Sequence, residues 1–156
     1  MEIQIDEKTK ETILIDTSIS KIISPTSEYV PDSNMGIESI QLDEYCTRID
    51  FIYIAPKNYS NGGWVQIDGR TYIRPVGSNK NYYLIKAINI PIAPDKHFFK
   101  KCGQVLKYTL LFPALPKNIQ QIDIIERLAP GTFFNFFRVN LTHGKPLLLT
   151  VNNHSN

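Results

Sequence analysis

Short runs of β-branched and aromatic residues, each bounded by proline, glycine, asparagine, aspartate or serine, recur along the whole chain. The run 46–55 shows the pattern most clearly, with one face formed by Thr47, Ile49, Phe51 and Tyr53. Alternation at period two is typical of strands, because successive side chains of a strand point to opposite faces. No long amphipathic helical pattern competes with it. The sequence therefore predicts an all-β protein of about eight to ten short strands, closed as a sandwich or a barrel.

The other strand candidates share this composition and are separated by turn-forming residues. They are Ile3 to Asp6, Thr12 to Asp16, Ile37 to Leu42, Tyr82 to Ile90, Val105 to Phe112, Ile119 to Glu126, Phe133 to Leu141 and Pro146 to Val151. We expect the first two to form a hairpin and the last to be an edge strand. The phenylalanines of 133–137 are interpreted as buried on both faces, with an exposed aromatic strip as the alternative.

The strongest local signal is the Asp-Gly pair at 68–69, which lies between two alternating runs. Such a pair predicts a two-residue type I′ hairpin, because both central residues of that turn need a positive φ. The hairpin would span 64–73 and place Val65 opposite Tyr72. Both of its faces would carry apolar side chains, so we expect it at the centre of the fold.

The chain has 156 residues, the length of a single domain. We expect residues 1–35 to form the N-terminal hairpin and a loop, residues 36–141 the core sandwich, and residues 142–156 a C-terminal extension. No apolar run approaches the roughly 18 residues of a membrane helix, and Met1 to Asp6 lack the features of a secretion signal. We expect a soluble protein, intracellular unless a leader has been removed.

The net charge of this chain does not indicate a particular class of partner. The formal net charge is +2 and the pI is 8.5, below the value of about 9 that is typical of nucleic-acid-binding domains. The segment Lys96 to Lys101 interleaves bases with aromatic rings, as single-strand grooves do. One such cluster in a nearly neutral domain is more often a solvated loop. The composition therefore argues against a nucleic-acid partner.

No metal or cofactor site is predicted. His97, His143 and His154 lie far apart in the sequence, and none has a zinc-ligand spacing to another histidine or to a cysteine. Cys46 and Cys102 are too few for a disulfide scaffold, and the residues around Cys102 are typical of a turn rather than a strand. We therefore expect two free thiols.

No familiar catalytic signature occurs in the sequence either. Among the paired carboxylates, Asp43 and Glu44 lie in a predicted turn. Asp123 and Glu126 are three residues apart on a predicted strand and therefore point to opposite faces. Neither pair has the geometry of two groups that serve one site, so the protein is predicted not to be an enzyme.

Several short motifs between residues 36 and 141 occur in a characteristic order. They are Cys46-Thr47-Arg48-Ile49-Asp50-Phe51, Trp64-Val65-Gln66-Ile67, Thr71-Tyr72-Ile73-Arg74-Pro75, Leu111-Phe112-Pro113-Ala114-Leu115-Pro116 and Ile122-Asp123-Ile124-Ile125-Glu126. In this order they resemble a β-sandwich accessory module of Bacteroidetes-type bacterial proteins. The resemblance implies an immunoglobulin-like antiparallel β-sandwich and a bacterial source; it implies no activity, because fold does not determine function.

An aromatic-rich β scaffold without catalytic groups indicates a non-enzymatic interaction module that binds another protein or a glycan. The candidates for ring stacking, each equally suited to the core, are Trp64, Tyr72, Tyr82 and Tyr83. The alternative is a structural or assembly subunit that self-associates through an edge strand, Ile3 to Asp6 or Leu147 to Val151. A third, weaker interpretation is an enzyme whose acidic and histidine side chains converge only in the folded protein.

Overall fold

The computed structural model of the chain describes residues 5–6, 11–12, 16–32, 34–142 and 145–150. These residues form strands, turns and loops, with no helix among them. The strands are β1 (Ile5–Asp6), β2 (Glu11–Thr12), β3 (Asp16–Ile23), β4 (Ser27–Tyr29), β5 (Met35–Leu42), β6 (Cys46–Ile54), β7 (Trp64–Val65), β8 (Tyr72–Pro75), β9 (Tyr82–Tyr83), β10 (Lys86–Ile88), β11 (His97–Phe98), β12 (Val105–Pro113), β13 (Gln121–Ile125), β14 (Phe136–Asn140) and β15 (Lys145–Thr150). Two main antiparallel sheets pack face to face, so the domain is an all-β sandwich, as predicted.

The larger sheet has six strands in the order β10-β12-β6-β5-β3-β15. Strand β6 lies near its centre and pairs along its whole length with β12. Its inward face is the one that the alternation predicts, because Thr47, Ile49, Phe51 and Tyr53 are all buried. Burial of alternate side chains therefore fixes the register of this strand.

The smaller sheet has five strands in the order β4-β14-β13-β8-β9. Its inward side chains complete the core, and they include Ile73, Ile122, Ile124, Phe136 and Val139. The two sheets meet where Phe51 of β6 approaches Phe136 of β14, with ring centroids 5.9 Å apart. In the phenylalanine run, Phe134 and Phe136 are buried, whereas Phe133 and Phe137 are only half-buried.

The predicted strand Tyr82 to Ile90 is divided between the two sheets. The Leu84 N–H donates to Thr71 O in the smaller sheet, and the next N–H, that of Ile85, donates to Leu111 O in the larger sheet. Strand β9 therefore pairs with β8, and β10 pairs with β12. One continuous strand cannot pair in both sheets, so the chain bends at this corner.

The predicted hairpin 64–73 is wrong. Val65 lies opposite His97 rather than Tyr72, and neither Asp68 nor Gly69 has the positive φ that a type I′ turn requires. Instead the Thr71 N–H donates to Asp68 O, and the turn carries the chain into β8. Long-range partners replace the local ones, because β8 pairs with β13 and β9 rather than with β7. The Asp-Gly signal marks a turn, but not a hairpin.

The chain ends add strands to the sandwich beyond the predicted core 36–141. Strands β1 and β2 pair with each other; residues 3–4 and 13–15 of the predicted hairpin lie outside the described residues, and Asp16 belongs to β3. Strand β3, which the sequence pattern did not predict, pairs with both β5 and β15. Strand β15 is the edge strand predicted for Pro146 to Val151, and residue 151 lies outside the described residues.

The two cysteines are free, as predicted. Cys46 begins β6, whereas Cys102 lies beside the far end of that strand, where the Gly103 N–H donates to Ala55 O. A nine-residue strand is roughly 27 Å long, and a disulfide needs Cα atoms within about 7 Å. The length of β6 therefore keeps the two thiols apart.

Candidate functional site

The four aromatic residues proposed for ring stacking do not form one surface. Tyr82 is buried and belongs to the core. Tyr72 and Tyr83 lie opposite each other on the outward face of the smaller sheet, with ring centroids 5.6 Å apart. Trp64 lies in a different element, the two-stranded sheet of β7 and β11. The alternation of β9 explains the division, since Tyr82 points inward and Tyr83 outward.

Trp64 is instead part of a second exposed aromatic group, formed by Tyr59, Trp64 and Phe98 and called the aromatic platform below. Trp64 lies directly opposite Phe98 in the β7–β11 pair, so both side chains are on the same face of that ladder. The Tyr59 ring rests on Gly63, the residue before Trp64. The exposed fractions are 56% for Tyr59, 45% for Trp64 and 67% for Phe98. Two of these rings, Trp64 and Phe98, lie on one face of a single two-stranded ladder, so exposed aromatic surface is concentrated there.

The platform is anchored from below by the core. Val65 and Phe99, the neighbours of Trp64 and Phe98 in the sequence, are both buried. The Phe99 ring stacks on Tyr53 of β6 with centroids 5.6 Å apart, and the Phe99 N–H donates to Gly63 O at 3.0 Å. Because one side of β7 and β11 is held in this way, the rings on the other side face solvent on a rigid support.

The segment Asn61-Gly62-Gly63 leads into Trp64, and both of its glycines have a left-handed backbone conformation. Gly62 has a φ of +84° and Gly63 a φ of +72°, a region in which only glycine is unstrained. A Cβ on Gly62 would lie 2.8 Å from both Ala55 Cβ and Lys101 O, so this backbone packs closely against the end of β6 and the loop after β11. The Asn61 Oδ1 accepts the Gly63 N–H at 3.0 Å and closes the turn. The glycines thus bring loop 56–63 and loop 99–104 together.

The two loops that surround the platform carry a net positive charge. Residues 56–64 and 94–104 contain four lysines, at 57, 96, 100 and 101, and one acidic residue, Asp95, a formal charge of +3. The whole chain carries only +2, so the rest of it is slightly acidic. All four lysines are exposed, and Lys96 Nζ lies 4.4 Å from the centroid of the Trp64 ring. Positive charge and exposed rings therefore coincide.

Sequence reasoning identified parts of this site but did not join them. Trp64 was a stacking candidate, and Lys96 to Lys101 was a basic and aromatic cluster interpreted as a solvated loop. The link between them is the pairing of β7 with β11, which the predicted 64–73 hairpin would have prevented. Tyr59 was not singled out; its position just before the Asn-Gly-Gly turn is the signal that marks it.

Three of the four carboxylates that the sequence suggests as catalytic pairs accept backbone hydrogen bonds. Asp43 Oδ1 accepts the Tyr45 and Cys46 N–H groups at the start of β6. Asp123 accepts the Arg138 N–H at the surface, whereas Glu126 is buried between the sheets. Asp123 and Glu126 therefore do not share a site, as the strand geometry predicts. These roles are structural.

Glu126 joins two loops to the end of β13. Its Oε2 accepts the Asp68 N–H at 2.9 Å, and its Oε1 accepts the Phe134 N–H at 2.8 Å. Burial raises the pKa of Glu126, although the two backbone hydrogen bonds act in the opposite direction. The neighbouring Tyr108 is fully buried, and its pKa is raised first by that burial and then by the charge of Glu126. The Glu126 carboxylate is therefore the acceptor for two backbone N–H groups that no neighbouring strand pairs.

Asp50 lies at the centre of the outward face of the larger sheet. It accepts hydrogen bonds from Thr109 Oγ1 at 2.6 Å, Ser39 Oγ at 2.9 Å and Arg48 Nε at 3.1 Å. Burial alone would raise the pKa of Asp50, but these hydrogen bonds outweigh it and lower the pKa. An acid that is held ionised by three donors is poorly suited to proton transfer. This group is a surface network rather than a catalytic pair.

Metal-binding and membrane-spanning features are not found in the part of the chain that the structure describes. It contains no cluster of three or more histidine, cysteine, aspartate or glutamate side chains placed to hold a metal ion, and no helix long and apolar enough to cross a bilayer. His97 is exposed and meets the edge of Phe99. His143 and His154 lie outside the described residues.

Comparison of the chain with protein-family models, curated proteins and solved structures finds no match. The function is therefore inferred from the geometry of the chain itself. The feature that it offers is the aromatic platform, where exposed rings and lysines lie together on a rigid two-stranded support.

Proposed function

We propose that this domain is a non-enzymatic recognition module that binds a glycan or another protein on the aromatic platform. The observation that carries the proposal is the exposure of Trp64 and Phe98 side by side on β7 and β11. Large rings concentrate binding energy, and exposed ones lose little side-chain entropy when they are covered. An accessory role is also what the resemblance to immunoglobulin-like bacterial modules implies.

The outward face of the smaller sheet is a weaker alternative for the same function. Its exposed ring, Tyr83, already meets Tyr72 edge-on, and Arg74 lies 5.7 Å from the Tyr72 ring centroid. This face offers a single exposed ring, whereas the aromatic platform offers three. We therefore assign Tyr72 and Tyr83 to the surface packing of the sheet and keep Trp64 as the binding residue.

Replacing Trp64 or Phe98 with alanine is expected to weaken partner binding at least about tenfold, because each ring lies at the centre of the platform. Tyr83→Ala is the matched control, since it removes an exposed ring from the other sheet. A glycan array and a pull-down, each run with the three variants, measure the effect. Equal binding by Trp64→Ala, Phe98→Ala and the unmodified protein would overturn the proposal.

Assembly through an edge strand is the second candidate function. Strand β15 ends the larger sheet, so one side of its backbone has no strand partner among the described residues. Strand β1, the other predicted edge, pairs with β2 in a separate two-stranded sheet. Light scattering over a wide range of concentrations tests this candidate. A mass that stays monomeric removes it, and a mass that rises with concentration supports it.

A further inference from the structure

We infer that the ligand of the aromatic platform is an anionic polysaccharide. This inference rests on the proposed function and adds the chemical class of the ligand. The C–H faces of sugar rings would pack on Trp64 and Phe98, and acidic substituents would pair with the lysines around them. Three properties of the platform favour such a ligand: its charge, the arrangement of its rings and its size.

The charge of the platform selects an acidic ligand. Lys57, Lys96, Lys100 and Lys101 lie on the two loops around the platform with one acidic residue, Asp95, and Lys96 lies over the Trp64 ring. Each exposed lysine contributes little alone, but a local excess of one sign attracts the opposite charge. A neutral ligand would gain nothing from this concentration of lysines.

The rings favour a ligand with successive flat units. Trp64 and Phe98 are directly opposed across a short ladder, so their Cβ atoms are about 5 Å apart and both side chains lie on one face. Lys96 lies over the Trp64 ring at 4.4 Å from its centroid. A ligand that covers Trp64 therefore brings its substituents next to an ammonium group. Sugar rings that carry carboxylates meet both requirements at once.

The size of the platform argues against a folded protein as the ligand. A stable protein interface buries about 800 Å² on each partner, which requires roughly 20 to 30 residues on each side. The platform consists of three rings and four lysines on two loops. Single-stranded nucleic acid combines rings and cations in a similar way, but it carries a phosphate at every unit. A net charge of +3 on two loops, in a chain with a net charge of only +2, is small for such a polyanion.

Affinity electrophoresis with polygalacturonate, its methyl ester and oligothymidine tests the inference. We expect the intact protein to be retarded by polygalacturonate, with about tenfold weaker binding to the methyl ester, which has the same sugar backbone without the charge. Raising the salt from about 50 mM to about 500 mM should remove most of the difference between the two polymers. The triple variant Lys96→Gln, Lys100→Gln, Lys101→Gln should bind both polymers equally.

Two control variants distinguish binding at the platform from nonspecific attraction between the polymer and the charged protein surface. Lys86→Gln removes a lysine from β10, and Tyr83→Ala removes an exposed ring from β9. Neither should change retardation by polygalacturonate, whereas Trp64→Ala should abolish most of it. Loss of binding in the controls equal to that in Trp64→Ala would overturn the inference.

The outcomes distinguish this inference from the proposed function. Equal binding to the acid and the ester through Trp64 means a neutral glycan ligand, which overturns the inference and supports the proposed function. Stronger retardation by oligothymidine overturns it in favour of nucleic acid. No retardation by either polysaccharide also overturns it, and the array and pull-down then decide the proposed function independently.

Discussion

Replacing Glu126 with alanine is expected to lower the free energy of unfolding by about 2 to 5 kcal/mol, because it leaves two backbone donors without an acceptor. Those donors are the N–H groups of Asp68 and Phe134, at 2.9 and 2.8 Å from the carboxylate. An unsatisfied buried N–H costs about 1 to 3 kcal/mol. A loss of this size is a large part of the stability of an ordinary domain. Urea denaturation monitored by circular dichroism measures it.

Two variants serve as controls for Glu126. Asp123→Ala removes the other carboxylate of the same strand region, which accepts one N–H at the surface, and should cost less than about 1 kcal/mol. Glu126→Gln keeps one acceptor oxygen and turns an amide N–H₂ toward the second donor, so its loss should be intermediate. If Glu126→Ala were no more destabilising than Asp123→Ala, the buried carboxylate would not be joining the loops.

The pH dependence of the same site follows from the raised pKa of Glu126. Because its folded pKa lies above the unfolded one, the folded state binds the proton more tightly. The resulting stability is fully present below the unfolded pKa and is lost as the pH rises through the folded pKa. Relative to the wild type, Glu126→Gln should therefore become less destabilised as the pH rises through that window. Asp50 does not disturb this comparison, since it is present in both proteins.

Replacing Phe51 with alanine is expected to cost about 3 to 5 kcal/mol, because it opens a cavity where the two sheets meet. Phe51 is 2% exposed and stacks on Tyr108 of the neighbouring strand, with ring centroids 5.0 Å apart. It also reaches Phe136 of the opposite sheet. The substitution thus removes contacts within one sheet and between the two sheets.

Ile54→Ala is the control for Phe51, because it removes an aliphatic side chain from the other face of the same strand. Ile54 is 41% exposed, so its loss should cost less than about 1 kcal/mol. Urea denaturation at one pH compares the two variants. Similar losses for both would contradict the assignment of β6 faces to core and solvent.

The sequence predicts the fold best where each strand has one buried face. In β6 and β12 the alternation fixes which residues point inward, so the class and the central strands follow from the pattern. The sequence predicts the fold least well where the chain passes from one sheet to the other, because a single run of strand-forming residues then contributes strands to both sheets. The bend between Leu84 and Ile85 depends on hydrogen bonds to Thr71 and Leu111, which are distant in the sequence.

The candidate site is non-local in the same way. Trp64 and Phe98 are each visible in the sequence as aromatic residues beside turns, yet only the pairing of β7 with β11 places them together. The local Asp68-Gly69 signal predicts a different partner for β7, and tertiary contacts override it, among them the hydrogen bond from Asp68 to Glu126. Residue type alone also does not predict which ring is exposed. Tyr82 and Tyr83 are adjacent tyrosines, but only Tyr83 is exposed.

Quenching of the single tryptophan tests the central claim most directly, because Trp64 is the only one in the chain and lies on the platform. If its ring is exposed beside lysines, neutral acrylamide should quench its fluorescence efficiently. The ratio of iodide quenching to caesium quenching should be several-fold larger than for N-acetyltryptophanamide in the same buffer, since local positive charge concentrates anions and repels cations. Salt at about 0.5 M should reduce that preference. Poor quenching by acrylamide, or an iodide-to-caesium quenching ratio no larger than that of N-acetyltryptophanamide, would contradict an exposed basic platform.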